Sequence, residues 1–539
     1  MSVPVIDLFA GPGGLGEGFS RAQSVRFDIA VSIEKDEMAH ETLRLRAAYR
    51  ALRRNAAATS ETWDLWDFTL SQQPWNIVFH KLRDAGDALI RKACVEADRE
   101  ALNLELGPKT RERAVFEIRA RLAPHMKEGR MPRNAVLIGG PPCQAYSIVG
   151  RSRNKGTKGY KPEADHRHFL YLEYLRVIAE FQPAVFVMEN VKGILTSRVQ
   201  DRHIFHTIMH DLERPDVASA KGTPVEYVLL SLPEAAHLMD DPTPDDFIVK
   251  AEEFGIPQAR HRVIILGVRK DVFDGVKSVG RLVRRDPPTV WDVISDLPTL
   301  RPQLSYRGKG LTWLDALKAP LFDTSVNELR RAPTEVAHLV AERLIEVRGR
   351  LTRRHSHPGS GADRAWMSEA ASDRGPKKLS KWYRDRVTRL LANHESRSHM
   401  PTDLVRYLFV ATFGEVTGAS PRLMDFPTCL LPDHKNVDPE NIGESIFKDR
   451  FRVQIAGRHS MTVTSHIAKD GHAFIHPKAS ECRSLTVREA ARLQTFPDTY
   501  VFLGSRTSQY TQVGNAVPPL LAWQIAEVVA DLLKQARLA

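Results

Sequence analysis

The first thirty-four residues constrain the fold more than any other part of this chain. An apolar run from Pro4 to Phe9 feeds directly into Ala10-Gly11-Pro12-Gly13-Gly14-Leu15-Gly16-Glu17-Gly18-Phe19. Glycines at 11, 13 and 16 have the GxGxxG spacing, and the missing Cβ atoms allow a tight turn and a close approach of ligand to backbone. Phe27, Ile29, Val31 and Ile33 then alternate as one face of a second strand that ends at Glu34. An acid at that place can hold a pair of ribose hydroxyls. Strand, glycine loop, helix, strand and acid together predict an α/β fold with a site for an adenosine-containing cofactor. A dinucleotide and S-adenosylmethionine fit the spacing equally, and a glycine turn without ligand is the plain alternative.

A second strand-to-loop junction carries the chemistry. The run Ala135-Val136-Leu137-Ile138 ends in Gly139-Gly140-Pro141-Pro142-Cys143-Gln144. This sets a reactive sulfur on a proline-stiffened loop at the C-terminal end of a strand, where open α/β sheets place their active sites. The basic, glycine-rich stretch Arg151 to Lys161 follows, suited to closing over a phosphate backbone. The strand Ala184 to Met188 then delivers Glu189-Asn190-Val191. A buried-type strand seldom needs a terminal carboxylate for folding, so Glu189 reads as functional, with a structural ion pair as the alternative. Gln258, Arg260 and Arg262 alternate before the apolar run Val263 to Val268. Two guanidiniums side by side call for an anion or polar ligand between them.

Charge and composition point to the partner. A formal charge of +11 and a pI near 9.4 favour a polyanion, and nucleic acid above others. Residues 343–398 hold fourteen Lys or Arg against six Asp or Glu, interleaved with Trp366, Trp382 and Tyr383, a pattern suited to gripping DNA. The four cysteines include no CxxC pair, and His466, His472 and His476 lack partners at ligand spacing, so free thiols and no metal are expected. No apolar run approaches the roughly 18 residues of a membrane span, and Met1 to Asp7 lacks the pattern of a secretory signal, so the expected place is the cytoplasm. Residues 41–130 read as a helical insertion, with amphipathic helices over 85–106 and 111–122. Near the C-terminus, Thr486 can cap a helix with the apolar stripe Val487, Ala490, Ala491 and Leu493, and a last amphipathic helix runs to about Leu533.

Taken together, Asp7-Leu8-Phe9-Ala10-Gly11-Pro12-Gly13-Gly14, Pro141-Pro142-Cys143-Gln144, Glu189-Asn190-Val191, Gln258-Ala259-Arg260-His261-Arg262, Leu485 to Asp498 and Gly514-Asn515-Ala516-Val517-Pro518 resemble the cytosine-5 DNA methyltransferases. They stand in that family's order and span nearly the whole chain. The resemblance implies a Rossmann-like, S-adenosylmethionine-dependent catalytic domain over 1–275, a target-recognition domain over 276–482, and a return to the catalytic domain over 483–539. It implies catalytic roles for Cys143, Glu189, Arg260 and Arg262. It implies cofactor contacts from Phe9, Gly11, Gly13, Gly14, Leu15, Glu34, Pro141, Asn515, Ala516 and Val517, and no metal. The family's short acidic motif after the third strand, which touches the adenine, is merged here with the insertion, leaving Asp67, Asp84 and Asp87 as alternatives. The implied reaction is methylation of carbon 5 of a flipped cytosine in duplex DNA by a monomer. A restriction nuclease or another phage-defence system is the implied functional partner. Methylation of transfer RNA is the nearest alternative. An oxidoreductase explains the glycine loop but not Pro141-Pro142-Cys143, and a silent DNA-binding module has no use for Cys143 and Glu189 together.

Overall fold

Six consecutive buried residues, Val3–Leu8, form β1, which lies inside a sheet and pairs in parallel with a strand on each side. In this computed structural model the described residues are 2–539 apart from 143–169, 196–197, 200–201, 220–222, 234–242, 306–309, 354–357, 367–375, 386 and 433–450. By its contacts the chain divides into two compact units: Met1–Thr62 with Pro74–Asp286 and Ala516–Ala539, and Trp63–Gln73 with Pro287–Asn515.

The first unit is built on an eight-stranded sheet. Its strands are β1, β2 (Phe27–Glu34), β3 (Ala101–Asn103), β4 (Val136–Gly139), β5 (Val185–Val191), β6 (Tyr227–Leu230), β7 (Ile248–Lys250) and β8 (His261–Arg269). They run in the order β3-β2-β1-β4-β5-β8-β6, with β7 also on β8. Pairing is parallel from β3 to β5, and β8 runs antiparallel to β5, β6 and β7. Central strands buried on both faces need near-continuous apolar sequence, which Val136-Leu137-Ile138 and Val185-Phe186-Val187-Met188 supply. Helices α1 (Gly14–Ser20) and α2 (Glu37–Arg53) follow the first two strands. The chain order reverses between β1 and β4, so the crevice for a ligand lies beyond the C-terminal ends of these two strands.

The region read as a helical insertion is mostly helical, and it also supplies the edge strand β3 of this sheet. After α3 (Ser60–Gln72) and α4 (Val78–Arg83), α5 spans Ala88–Glu100 and passes without a turn into β3, which pairs with β2 through Ser32, Ile33 and Glu34. The single helix expected over 85–106 is therefore a helix and an edge strand. α6 (Arg111–Leu122) has the expected bounds, and α7 spans Leu170–Phe181.

In the second unit, α8 (Pro320–Arg331), α9 (Glu335–Arg353) and α10 (Pro401–Thr417) enclose a core including Leu344, Val347, Leu404 and Leu408. A hairpin of β9 (Gly361–Trp366) and β10 (Leu390–Glu395) lies in the same unit. α11 (Val487–Leu493) starts at a Thr486–Glu489 capping box, as its sequence predicts. It packs here rather than with the first unit because its charged side chains are buried against this unit's own groups. Arg492 pairs with Asp296 and Asp498, Arg483 with Glu481 and Glu489, and Arg488 donates to the carbonyls of Ala392, Pro497 and Tyr500. α12 (Arg506–Asn515) closes the second unit, and α13 (Pro519–Gln535) belongs to the first.

Candidate active site

Between β1 and α1 the backbone takes left-handed conformations at Phe9 (φ 55°), Gly11 (φ 57°) and Gly13 (φ 95°). Glycine adopts these freely, whereas Phe9 does so at a cost that is characteristic of functional turns. The acid at the end of β2 is tied to this loop: Glu34 Oε2 accepts the Gly11 N–H at 2.8 Å and Oε1 accepts the Asp36 N–H at 2.8 Å. Burial pushes its carboxyl pKa up, and the two amides oppose that. Val517 reaches the same loop. A Cβ placed on Gly14 would stand 2.2 Å from the Val517 carbonyl oxygen, so the two backbones touch only because Gly14 has no side chain. Phe9, Gly11, Gly13, Gly14, Leu15, Glu34 and Val517 thus gather at the C-terminal edge of β1 and β2. Asn515 ends α12 in the second unit, and Ala516 begins the final segment of the first.

The structure gives the three acids proposed for the adenine other employment. Asp87 caps α5, accepting the amides of Leu89 and Ile90. Asp84 lies exposed 3.2 Å from His80. Asp67 accepts the Arg389 amide at 2.7 Å within the second unit. The end of β3 carries Asn103 instead, whose Nδ2 donates to the carbonyls of Glu34 (3.1 Å) and Lys35 (3.2 Å). The sequence signal for it was the strand itself, hidden behind α5. Asp7 was also overlooked. It is fully buried against α1, where a Cβ on Gly16 would come 3.0 Å from its Oδ2, and burial followed by the charge of Glu100 pushes its carboxyl well up.

The second group of residues meets at the ends of β4 and β5. Cys143 lies outside the described residues, as do Arg151, Arg153, Lys155 and Lys158, but the approach to it is defined. The Pro141 carbonyl accepts from Asn190 Nδ2 at 3.1 Å, which ties the proline loop to the end of β5. Glu189 Oε2 would stand 2.9 Å from a Cβ on Gly140, and Glu189 Oε1 receives Arg262 Nε at 2.9 Å. In register, Glu189 faces Ile264, so Arg262 is its diagonal neighbour on the same face of the sheet. Glu189 is thus the anion that Arg262 meets, and its charge also acts on Arg260. Arg260 is almost wholly buried, and burial, reinforced by Arg262 and opposed by Glu189, lowers its guanidinium pKa well below the usual value. Gln258 is buried beside it in sequence, just before β8 begins, rather than presented on a strand face.

This arrangement holds a carboxylate and two guanidiniums next to the proline loop that leads in sequence to Cys143, on the same sheet as the glycine loop after β1. Residues 121–216 and 246–531 match the family described as C-5 cytosine-specific DNA methylase. The chain is 32% identical to Type II methyltransferase M.Bpa9945I of Bacillus paralicheniformis, over 98% of this chain and 99% of that protein. It is 28% identical to Type II methyltransferase M.AgeI of Thalassovita gelatinovora, over 73% and 82% of the two chains. Identity to DNA (cytosine-5-)-methyltransferase M.ApeKI of Aeropyrum pernix is 25%, over 74% and 81%.

Proposed function

The chain belongs to the C-5 cytosine-specific DNA methylases and is a DNA cytosine-5 methyltransferase, and from that premise we propose how its residues divide the reaction. Carbon 5 of cytosine is a poor nucleophile, so the ring must first gain electron density. Cys143, as the thiolate, adds to carbon 6; the carbon–sulfur bond forms as the ring's electron pair moves toward nitrogen 3 and carbon 5. Glu189, entering this step as the carboxylic acid, passes its proton to nitrogen 3, while Arg262 holds its other oxygen and turns the rest of its guanidinium to the ring carbonyl. Buried Arg260 fixes this corner from behind. S-Adenosylmethionine supplies an electrophilic methyl group for carbon 5. Loss of the carbon 5 proton to a base re-forms the 5,6 double bond and expels Cys143 as the thiolate, and nitrogen 3 returns its proton to Glu189, leaving 5-methylcytosine.

The glycine loop suits that cofactor. Amides around Gly11, Gly13, Gly14 and Leu15 face its methionine end, Phe9 its adenine or ribose, and Glu34 its ribose hydroxyls, with Pro141, Ala516 and Val517 completing the pocket. Asn103 takes the place of the family's acid, its Oδ1 remaining for the adenine amine once Nδ2 has bound the Glu34 and Lys35 carbonyls. The target base leaves the duplex to reach this site, at a cost of a few kcal/mol that backbone contacts by Arg151, Arg153, Lys155 and Lys158 partly offset. The second unit reads the DNA sequence, a role supported by the basic and aromatic composition of 343–398. The relatives' type II names support host-DNA marking; a restriction nuclease as functional partner, a monomer and the cytoplasm complete the proposal.

The observation that carries this reading is Glu189 held between Arg262 and Gly140, because it joins three separate motifs at one point. The test is transfer of labelled methyl from S-adenosylmethionine to duplex DNA and to transfer RNA, followed by bisulfite sequencing. Label should enter duplex DNA at cytosines in one sequence context and vanish with Cys143→Ser. Preferential labelling of transfer RNA, or full activity of Cys143→Ser, overturns it.

A further inference from the structure

Residues 63–73 stand in the N-terminal part of the chain, yet they pack as part of the second unit. This is the inner face of α3. Trp63, Trp66, Asp67 and Leu70 recur at helical spacing and are buried, and the two indoles meet edge to face at 6.2 Å. Two hydrogen bonds tie α3 to the β9–β10 hairpin. Asp67 Oδ2 accepts the Arg389 N–H at 2.7 Å where β10 begins, and Arg364 of β9 donates through Nη1 to the Leu70 carbonyl at 2.8 Å.

The hairpin needs such support. Two strands alone are marginal in water and become stable when a helix or further strands cover them. At its other end the hairpin is already held: Asp363 Oδ1 accepts from Asn393 (3.0 Å) and Gln509 (3.1 Å), and Asn393 exchanges hydrogen bonds with both backbone groups of Phe502. The end where Trp366 pairs with Leu390 has α3. Trp366 is 48% exposed, an unusual setting for an indole unless it meets a partner.

We propose that α3 is a brace for the β9–β10 hairpin and that Asp67 is the positioning residue through which it fixes the Trp366 end of the hairpin against DNA. The proposal rests on the reading of the second unit as the DNA-recognition part. Asp67 is a demanding choice of anchor. Its residue is only 2% exposed, and its Oδ1 is buried without a hydrogen-bond partner among the described residues. The charged groups around it are Asp64 on α3 itself, which opposes its ionisation, and Arg389 at the start of β10, which with the Arg389 and Leu390 amides favours it. Burial outweighs these, and its carboxyl pKa is pushed up to about 7. A carboxyl whose pKa is raised in the closed state is held most firmly when protonated. Opening of the brace should therefore rise by roughly tenfold per pH unit from about pH 4 to about pH 7, and level off above it.

The experiment uses the full-length protein, Asp67→Asn and Trp366→Ala. Hydrogen exchange at the amides of Arg389 and Leu390, taken as the ratio of wild type to Asp67→Asn, cancels the intrinsic pH dependence of exchange. The ratio should rise from pH 5 to pH 7 and then stay flat. The KM for duplex DNA, taken as the same ratio, should follow it with kcat at saturating substrates unchanged. Trp366→Ala should raise the KM for DNA about tenfold at every pH, the loss of roughly one stacked ring. A pH-independent exchange ratio overturns the brace. A normal exchange profile with an unmoved KM in Trp366→Ala overturns instead the assignment of this hairpin to DNA, and with it the positioning role.

Discussion

Replacing Gly140 by alanine should damage catalysis while leaving the fold intact. A Cβ there would stand 2.9 Å from Glu189 Oε2 and 3.7 Å from the Glu189 carbonyl oxygen. Only the first contact is too close, and it is made by the far end of a side chain, so the carboxylate moves rather than the strand. Restoring an ordinary separation of 3.4 Å requires a shift of 3.4 − 2.9 = 0.5 Å. That is small for stability but large for a group that must meet nitrogen 3 of a flipped base while its other oxygen stays 2.9 Å from Arg262 Nε. Displacements of about 1 Å at reacting groups cost on the order of a hundredfold in rate, so a loss of roughly tenfold or more in kcat is expected. The midpoint of thermal unfolding should stay within a few degrees, since no backbone has to part. Single-turnover methyl transfer with saturating DNA and cofactor measures the first quantity, calorimetry the second. A variant with wild-type single-turnover rate would mean that Glu189 does not act from where it stands, and the assignment of its role would fail.

Gly14→Ala probes the other half of the site and should behave in the opposite way. Its Cβ would lie 2.2 Å from the Val517 carbonyl oxygen, two stretches of backbone must separate, and overpacking of this kind costs about 1–3 kcal/mol. Weaker cofactor binding by roughly tenfold in equilibrium titration, together with a lowered melting temperature, is the expected result; unchanged binding would show that the loop and Val517 do not share a pocket wall. Acid should destabilise the second unit through His394, whose Nε2–H donates to the Pro298 carbonyl at 2.9 Å and whose Nδ1 accepts from the Thr486 hydroxyl at 3.1 Å. Burial lowers its imidazole pKa to about 4, so the unfolded chain binds the extra proton first. Stability is fully present above about pH 6.5 and falls as pH drops toward 4, by about 3 kcal/mol in all. His394→Asn should flatten that limb of the denaturant midpoint against pH, and an identical slope in both proteins would dismiss the histidine as its source.

The fold was legible where local pattern and tertiary role coincide. β1, the glycine loop, β2 ending at Glu34, and the Thr486 cap of α11 all follow from spacing alone. β3 was not, because Ala101-Leu102-Asn103 has neither β-branched residues nor a turn before it; pairing with β2 overrides its propensity. Nor was the destination of α11 or α3. Arg488, Glu489 and Arg492 lie off the apolar stripe of α11, and they are buried against acids and carbonyls supplied partly by the distant Asp296 and Ala392. Likewise the buried face of α3 shows that the helix packs on something, while nothing in its sequence says on what.

The site was legible as a set of residue types but not as a geometry, and the direction of one strand accounts for the difference. Glu189 lies near the end of β5 and Arg262 near the start of β8, and the two meet because these strands are antiparallel, with Arg262 opposite Val191. Had β8 run parallel to β5, as β4 does, its first residues would lie beside the first residues of β5. At about 3.3 Å per residue, Arg262, the second residue of β8, would then stand beside Phe186, about 10 Å along the strand from Glu189. Neither motif records that direction. It is set by the chain reaching β8 through β7, which pairs antiparallel with the start of β8 through Lys250, Val249 and Ile248 and so returns the chain at the edge where the chemistry takes place.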